Sequence, residues 1–160
     1  MRRAMVDTEI WSMAKKQPDE TRFSSRREFT RALEMHRRAR DFFRNTFPGL
    51  RVYMSTHQIA EIYHVLAFRG TKIPRRHAES IVRAIIEDDN IVKVPVMLDH
   101  VEEAVRASAE TGVHVWDYLC FIPVKDYIDV VFTCDDHFIK IGEKYGVKIL
   151  NPLDLSLIHI

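Results

Sequence analysis

The sequence of 160 residues has few cysteines, glycines and prolines, and these shortages limit what the protein can be. Its two cysteines, Cys120 and Cys134, stand 14 positions apart, with neither a Cys-x-x-Cys motif nor a paired His motif. On their own they therefore give neither a disulfide framework nor a zinc site. With five glycines and six prolines, the chain has no Gly- or Pro-rich linker that would divide it. We expect one domain over residues 1–160.

Long apolar runs are missing as well. No stretch of about 18 apolar residues occurs, which excludes a membrane-spanning helix. The N-terminal segment MRRAMVDTEIW contains arginines but no apolar core of signal-peptide length. The hydrophobic content of 46% is too high for a disordered chain. We therefore expect a folded protein of the reducing cytoplasm, with no membrane partner.

A strong net charge is also missing, since the total is only +1, but the charges are distributed unevenly. Residues 1–51 carry 13 Lys and Arg against 7 Asp and Glu, a difference of +6. Residues 99–160 carry 5 against 11, a difference of −6. The basic end could bind an anionic polymer and the acidic end cations, or both could be ordinary solvated surface.

Short apolar segments alternate with amphipathic helical patterns along the chain. The strand-like segments are residues 4–6, 52–54, 91–94, 130–133 and 148–150. Helical patterns begin near residues 27, 56, 74, 99, 116 and 137, whereas residues 12–26 are polar and predict a loop. Buried strands separated by helices are typical of an α/β fold, with a mainly parallel central sheet flanked by helices on both faces.

Acidic residues stand where the predicted strands end. Asp7 follows the first strand, Asp135 and Asp136 follow the strand at 130–133, Glu61 lies on the helix after the second strand, and Asp117 begins a further helix. Ligands of open α/β sheets collect at the carboxyl ends of the strands. Carboxylates gathered there would repel one another, and Mg²⁺ or Mn²⁺ would offset the repulsion. Each acid taken alone could instead cap a helix, end a strand in a turn or be solvated.

Four segments in this order resemble the motifs of the PIN domain family, over about Met5 to Leu153. The resemblance is carried by Val6-Asp7-Thr8, by the segment from Ser55 to Ile62 that contains Glu61, by Trp116-Asp117-Tyr118-Leu119, and by the Thr-x-Asp-x-x-Phe pattern from Thr133 to Phe138. The register of the last pattern favours Asp135 over Asp136 as the fourth acid. Glu9 and Pro123 depart from the family pattern.

The resemblance implies a PIN-like α/β/α sandwich and a metal-dependent endoribonuclease. It implies that Asp7, Glu61, Asp117 and Asp135 are catalytic and bind Mg²⁺ or Mn²⁺, with Asp136 as an additional candidate ligand. Thr133, Thr8 and Glu9 would support these ligands. Members of the toxin type have a small antitoxin protein as partner, and homodimers are common in the family.

An arginine-rich stretch gives the basic end a candidate role in RNA binding, since arginine binds phosphates through two parallel hydrogen bonds. The candidate residues are Arg22, Arg26, Arg27, Arg37, Arg38 and Arg40. Docking of an antitoxin is the alternative role for this surface. The alternative functions are a PIN-like module that binds RNA or protein without cleaving, an RNA-processing nuclease unrelated to toxins, and a DNA nuclease. The apolar residues from Leu153 to Ile160 predict an edge strand or a homodimer contact.

Overall fold

The computed structural model describes residues 1–154. Their centre is one five-stranded sheet in which every paired strand runs parallel to its neighbour. The strands, in chain order, are β1 (Arg2–Val6), β2 (Leu50–Ser55), β3 (Ile91–Val94), β4 (Val130–Phe132) and β5 (Lys148–Leu150). Across the sheet the order is β3-β2-β1-β4-β5, so the chain moves outward in one direction from β1 and then in the other.

Helices cover both faces of the sheet. The described residues form α1 (Thr8–Lys15), α2 (Arg26–Asn45), α3 (Thr56–Phe68), α4 (Arg75–Glu87), α5 (Leu98–Thr111), α6 (Val115–Phe121) and α7 (His137–Tyr145). The first four contribute to one apolar core, and α5, α6 and α7 contribute to the other. This arrangement confirms the predicted α/β/α sandwich. Within residues 1–154 there is no helix long and apolar enough to cross a membrane.

Successive side chains of the central strands enter opposite cores. Ala4 and Val6 of β1 pack into the core under the first four helices, whereas Met5 packs into the other core. Residues of β4 alternate in the same way, with Val131 facing the same core as Met5. A strand buried on both faces must be apolar at every position, which explains the short runs of Val, Ile and Met that predicted these strands.

The prediction of a loop over residues 12–26 is wrong for its first part, because α1 extends to Lys15. This helix begins directly after β1, with Asp7 as its N-cap residue, and its buried side is short. Ile10 and Trp11 are buried, and the following polar residues hide the helical period in the sequence. The remainder of the stretch contains a short 3-10 turn at Glu20–Arg22 and ends where α2 begins at Arg26. The apolar residues 155–160, for which an edge strand or dimer contact is predicted, lie outside the described part of the chain.

Gln58 fixes the position of α3 against the end of β1. Ser55 caps the helix through its Oγ, which accepts a hydrogen bond of 3.1 Å from the Gln58 backbone N–H. The fully buried Gln58 side chain then donates from Nε2 to the carbonyl oxygen of Val6 at 2.6 Å. Because Val6 immediately precedes Asp7, this bond ties the second motif of the sequence to the first.

Replacing Gln58 with Ala should therefore lower the free energy of unfolding by about 1–3 kcal/mol, the usual cost of leaving a buried polar group unpaired. The affected group is the Val6 carbonyl oxygen, which loses the donor that reaches it from α3. Urea unfolding of the variant measures the loss. The matched control is Gln17→Ala at an exposed position, and an equal loss in both variants would contradict the structural role of Gln58.

Candidate metal centre

The four acids predicted as ligands meet in one cleft beyond the carboxyl ends of the strands. The strand order reverses between β1 and β4, and this is the place where open α/β sheets form a crevice. The cleft has a volume of about 820 Å³, and Asp7, Glu61, Asp117 and Asp135 all line it. Sheet topology thus brings together side chains that are up to 128 positions apart in the sequence, from Asp7 to Asp135.

Asp7 is the most constrained of these acids. Its backbone N–H donates to the Phe132 carbonyl oxygen at 2.9 Å, extending the pairing of β1 with β4. Its carboxylate accepts from the Thr8 backbone N–H at Oδ1 and from the Thr133 hydroxyl at Oδ2, both at 2.8 Å. Only 6% of the residue is exposed. The predicted supporting residue Thr133 thus contacts Asp7 directly.

Burial raises the pKa of Asp7 to about 8. The hydrogen bond from Thr133 acts in the opposite direction, and the neighbouring charges of Asp117, Glu61 and Glu9 raise the pKa further. A buried carboxylate surrounded by other carboxylates is costly to ionise. A bound cation would offset that cost, and the donor set of this cleft consists mainly of carboxylate oxygens.

Asp135 and Asp117 share a neighbouring histidine, His137. The Asp135 carboxylate accepts a 2.9 Å hydrogen bond from the backbone N–H of His137. The His137 ring nitrogen Nδ1 lies 3.4 Å from Asp135 Oδ1 and 3.8 Å from Asp117 Oδ2. Burial raises the pKa of Asp117 to about 6, with added repulsion from Asp135 and Glu61, while His137 and His114 oppose the rise.

Glu61 differs from the other acids in its neighbours. Its Oε2 lies 3.6 Å from His57 Nε2, and its Oε1 accepts a hydrogen bond of 3.6 Å from the Cys120 thiol. Burial acts to raise the pKa of Glu61, but the interactions with His57 and Cys120 act to lower it, and the net pKa is below its usual value. The pKa of Glu61 is thus shifted in the opposite direction to the pKa values of Asp7 and Asp117.

The other predicted ligands and supporting residues lie in different places. Thr8 and Glu9 line the same cleft, and one carboxylate oxygen of Glu9 lies within 4.8 Å of ligand atoms of Asp7 and Asp135. Asp136 is exposed at the N-cap of α7 and is not among the described residues that line the cleft. The structure thus places Glu9, rather than Asp136, beside the other acids.

The predicted RNA-binding arginines do not line this cleft, as far as the described residues show. Arg26, Arg27 and Arg38 line a separate hollow on α2, and Arg37 and Arg38 form ion pairs with Glu34. Arg40 is exposed on the same helix.

Other cations stand at the end of the cleft, and the sequence analysis did not identify them. Lys16 and Arg69 line it together with His64. Lys16 Nζ donates to the carbonyl oxygens of Val65 and Arg69, both at 2.7 Å. Burial lowers the pKa of Lys16, as do the nearby charges of Arg69 and Arg22. Of the six predicted arginines, Arg22 thus acts electrostatically on this end of the cleft.

An exposed aromatic side chain also lines the cleft beside Asp117. Trp116 is 58% exposed, and its ring stacks on the His57 ring with centroids 5.6 Å apart and planes 8° apart. The four-residue spacing of His57 and Glu61 on one helix face was the sequence signal that could have placed His57 at the site. No comparable signal marked Lys16, which lies within the stretch predicted as a loop.

The fold and the cleft together define an α/β protein with an acidic, oxygen-rich centre at the switch point of a parallel sheet. A model of the PIN domain family matches residues 4–144, and the chain belongs to that family of nucleases. No curated protein sequence gives a significant match.

Two solved structures share the fold. One is VapC20 of Mycobacterium tuberculosis, a toxin that cleaves the sarcin-ricin loop, with a TM-score of 0.63 and 20% identity over 87% of this chain and 95% of that one. The other is FitAB bound to the IR36 DNA fragment, with a TM-score of 0.56 and 15% identity over 95% of this chain and 96% of that one. At these identities the similarity shows the fold alone.

The residues of the cleft fit a divalent metal ion of the kind that PIN nucleases generally use. Asp7, Glu9, Glu61, Asp117 and Asp135 offer carboxylate oxygens, the ligands that Mg²⁺ and Mn²⁺ prefer. Burial raises the pKa values of Asp7 and Asp117, and repulsion from neighbouring carboxylates raises them further, so a bound cation would favour their ionised forms.

The metal-free protein should lose stability as the pH rises from 3.8 to about 8, because the pKa of folded Asp7 is raised to about 8 from an ordinary value of 3.8. Over this interval the folded state keeps a proton that the unfolded chain has released, so raising the pH favours unfolding. Thermal melts in a chelator measure the dependence. In Asp7→Asn, which cannot titrate at this position, the melting temperature should fall less steeply with pH. An equally steep fall in the variant would contradict the assignment of this pH dependence to Asp7.

Proposed function

We propose that this protein is a metal-dependent endoribonuclease that hydrolyses RNA phosphodiester bonds with Mg²⁺ or Mn²⁺. The observation that carries the proposal is the meeting of Asp7, Glu61, Asp117 and Asp135 in one cleft, with burial and mutual repulsion raising the pKa of Asp7 and Asp117. Membership of the PIN domain family supports the same conclusion.

The four acids would hold the metal ion, which when bound supplies an activated water and stabilises negative charge on the phosphate. Thr133 keeps the Asp7 carboxylate in a fixed orientation through its hydrogen bond to Oδ2. His137 lies within ion-pairing distance of both Asp117 and Asp135. When protonated, it would limit the repulsion between them.

The rest of the cleft provides a path for the substrate. Lys16 and Arg69 form its basic end, where they would bind phosphates on the chain flanking the scissile bond. The exposed ring of Trp116 lies beside Asp117 and offers a stacking surface for an unpaired base. The arginines of α2 belong to a second, separate surface that suits either a longer RNA or an antitoxin.

A toxin role, with a small antitoxin protein as partner, is the finer form of this proposal. VapC20 is a toxin that cleaves the sarcin-ricin loop, and the structure of FitAB contains a bound DNA fragment. Both proteins with a similar fold therefore act on or bind nucleic acid. We extend the toxin role, the antitoxin partner and a homodimeric, cytoplasmic state to this chain as proposals. An RNA-processing nuclease is the alternative within the same chemistry.

Replacing Asp117 with Asn should reduce the rate of RNA cleavage about 100-fold or more, because a metal ligand in such a site supports several kcal/mol of transition-state stabilisation. Cleavage of labelled RNA and DNA with Mg²⁺ or Mn²⁺ is the measurement, and a chelator should abolish it. Asp136→Asn is the matched control, since Asp136 is exposed at the N-cap of α7.

Three outcomes of that assay would contradict parts of the proposal. Cleavage that survives both the chelator and Asp117→Asn would exclude a metal-dependent nuclease at this site. Binding of RNA with no cleavage in any metal would favour the alternative of a PIN-like binding module. Cleavage of DNA in preference to RNA would favour the DNA nuclease.

Replacing Arg69 with Ala should weaken RNA binding and reduce the slope of log affinity against log salt by about 0.7, the contribution of one phosphate contact on a single strand. Arg40→Ala, on the exposed face of α2, is the matched control and should change the slope less. Filter binding with the Asp117→Asn variant, which leaves the RNA intact, measures both. A larger effect at Arg40 would make α2 the main RNA-binding surface.

A further inference from the structure

A second set of metal-ligand side chains stands on one side of the cleft, and it differs in chemistry from the carboxylates. It consists of His57, Glu61 and Cys120, whose ligand atoms lie within 4.8 Å of one another. His57 and Glu61 line the cleft one helical turn apart, and the buried Cys120 lies behind Glu61. The proposed nuclease chemistry uses only the Glu61 carboxylate of this set.

We propose that His57, Glu61 and Cys120 form a binding site for Zn²⁺, and that zinc bound there inhibits the nuclease by withdrawing Glu61 from the catalytic metal centre. The inhibitory consequence rests on the proposed function, whereas zinc binding itself does not.

Two of the distances in this set are close to the spacing of ligand atoms around zinc. Zinc bonds of about 2.0 Å to nitrogen or oxygen and about 2.3 Å to sulfur, in a tetrahedral arrangement, place neighbouring ligand atoms about 3.5 Å apart. His57 Nε2 lies 3.6 Å from Glu61 Oε2, and Cys120 Sγ lies 3.6 Å from Glu61 Oε1. These two distances involve different oxygens of the Glu61 carboxylate, and one ligand atom from each of the three side chains lies within 4.8 Å of the other two. Zinc would draw these atoms together around one ion, and a water molecule would complete the tetrahedron.

Two features of His57 favour its binding of a metal ion. Its Nε2 atom is buried and has no hydrogen-bond partner within residues 1–154. Trp116 stacks on the ring at an interplanar angle of 8°, which holds the imidazole in its orientation towards Glu61. A buried ring nitrogen without a hydrogen bond is unusual in a folded protein, and metal ligation would satisfy it.

Ligand type separates this set from the carboxylate centre. Thiolate and imidazole ligands prefer zinc, whereas carboxylate oxygens suit magnesium and manganese. Binding requires that a Zn–S bond form as the S–H bond breaks, with the thiol proton released to solvent.

Binding is tested first, without RNA, on the full chain freed of metal. Co²⁺ serves as the spectroscopic probe for zinc, since a cobalt–thiolate bond gives a charge-transfer absorption in the near ultraviolet that oxygen ligands do not give. We expect this absorption in the original chain. Zn²⁺ should abolish the absorption by displacing Co²⁺ from the thiolate. Calorimetry with Zn²⁺ should show at least about tenfold weaker binding in Cys120→Ser and in His57→Gln.

Two matched variants control for other zinc sites. Cys134→Ser removes the other thiol of the chain, and Asp135→Asn removes a carboxylate of the catalytic centre, so both should retain the cobalt–thiolate absorption. His57 is only half-buried, so His57→Gln gives an answer even if replacing the core residue Cys120 impairs folding. Absence of the absorption, or equal zinc affinity in all variants, would overturn the proposed site.

Inhibition is then measured as the ratio of Mg²⁺-dependent cleavage rates with and without zinc, taken within each variant. We expect the factor by which zinc reduces the cleavage rate to be at least about tenfold smaller in Cys120→Ser than in the original chain, because zinc binds the variant more weakly. Equal inhibition of both chains would overturn the regulatory role. A chain that binds Co²⁺ through the thiolate but never cleaves RNA would refute the proposed function while the zinc site stands.

Discussion

The parallel pairing of β1 with β4 is the constraint on which the rest of this structure depends. It places the backbone of Asp7 against Phe132 and the hydroxyl of Thr133 against the Asp7 carboxylate. The strand order reverses at this pairing, so helices from both layers begin around one crevice. The acids are therefore close together because the fold brings them there, at an electrostatic cost visible in the raised pKa values of Asp7 and Asp117.

The sequence predicts those site residues that lie next to a recognisable local pattern, such as a short apolar strand segment. Asp7 and Asp135 follow short apolar segments, and the apolar composition of those segments results from burial on both faces of the sheet. The fold class and the family could be predicted for this reason. The position of α1 could not, because its buried side is only a short stretch around Ile10 and Trp11.

The basic side of the site shows a second limit of sequence reasoning. The high density of arginine predicted α2 as the RNA-binding surface, yet several of these side chains already bind other groups of the protein. Arg38, for example, forms an ion pair with Glu34 and donates a hydrogen bond to the Leu153 carbonyl oxygen. Lys16 and Arg69 reach the cleft from the ends of two different helices. Charge counted along a chain measures composition, whereas a binding surface depends on which elements end at the same place.

Glu61 connects the two kinds of metal chemistry that this cleft offers. On one side it faces carboxylates that suit a hard cation, and on the other it contacts an imidazole and a thiol that suit a softer one. A carboxylate can serve only one of these centres fully at a time, because its position and orientation are set by the ion it binds. Competition between the two ions for Glu61 would make the activity of such a nuclease depend on which metal is available, without any change in the fold.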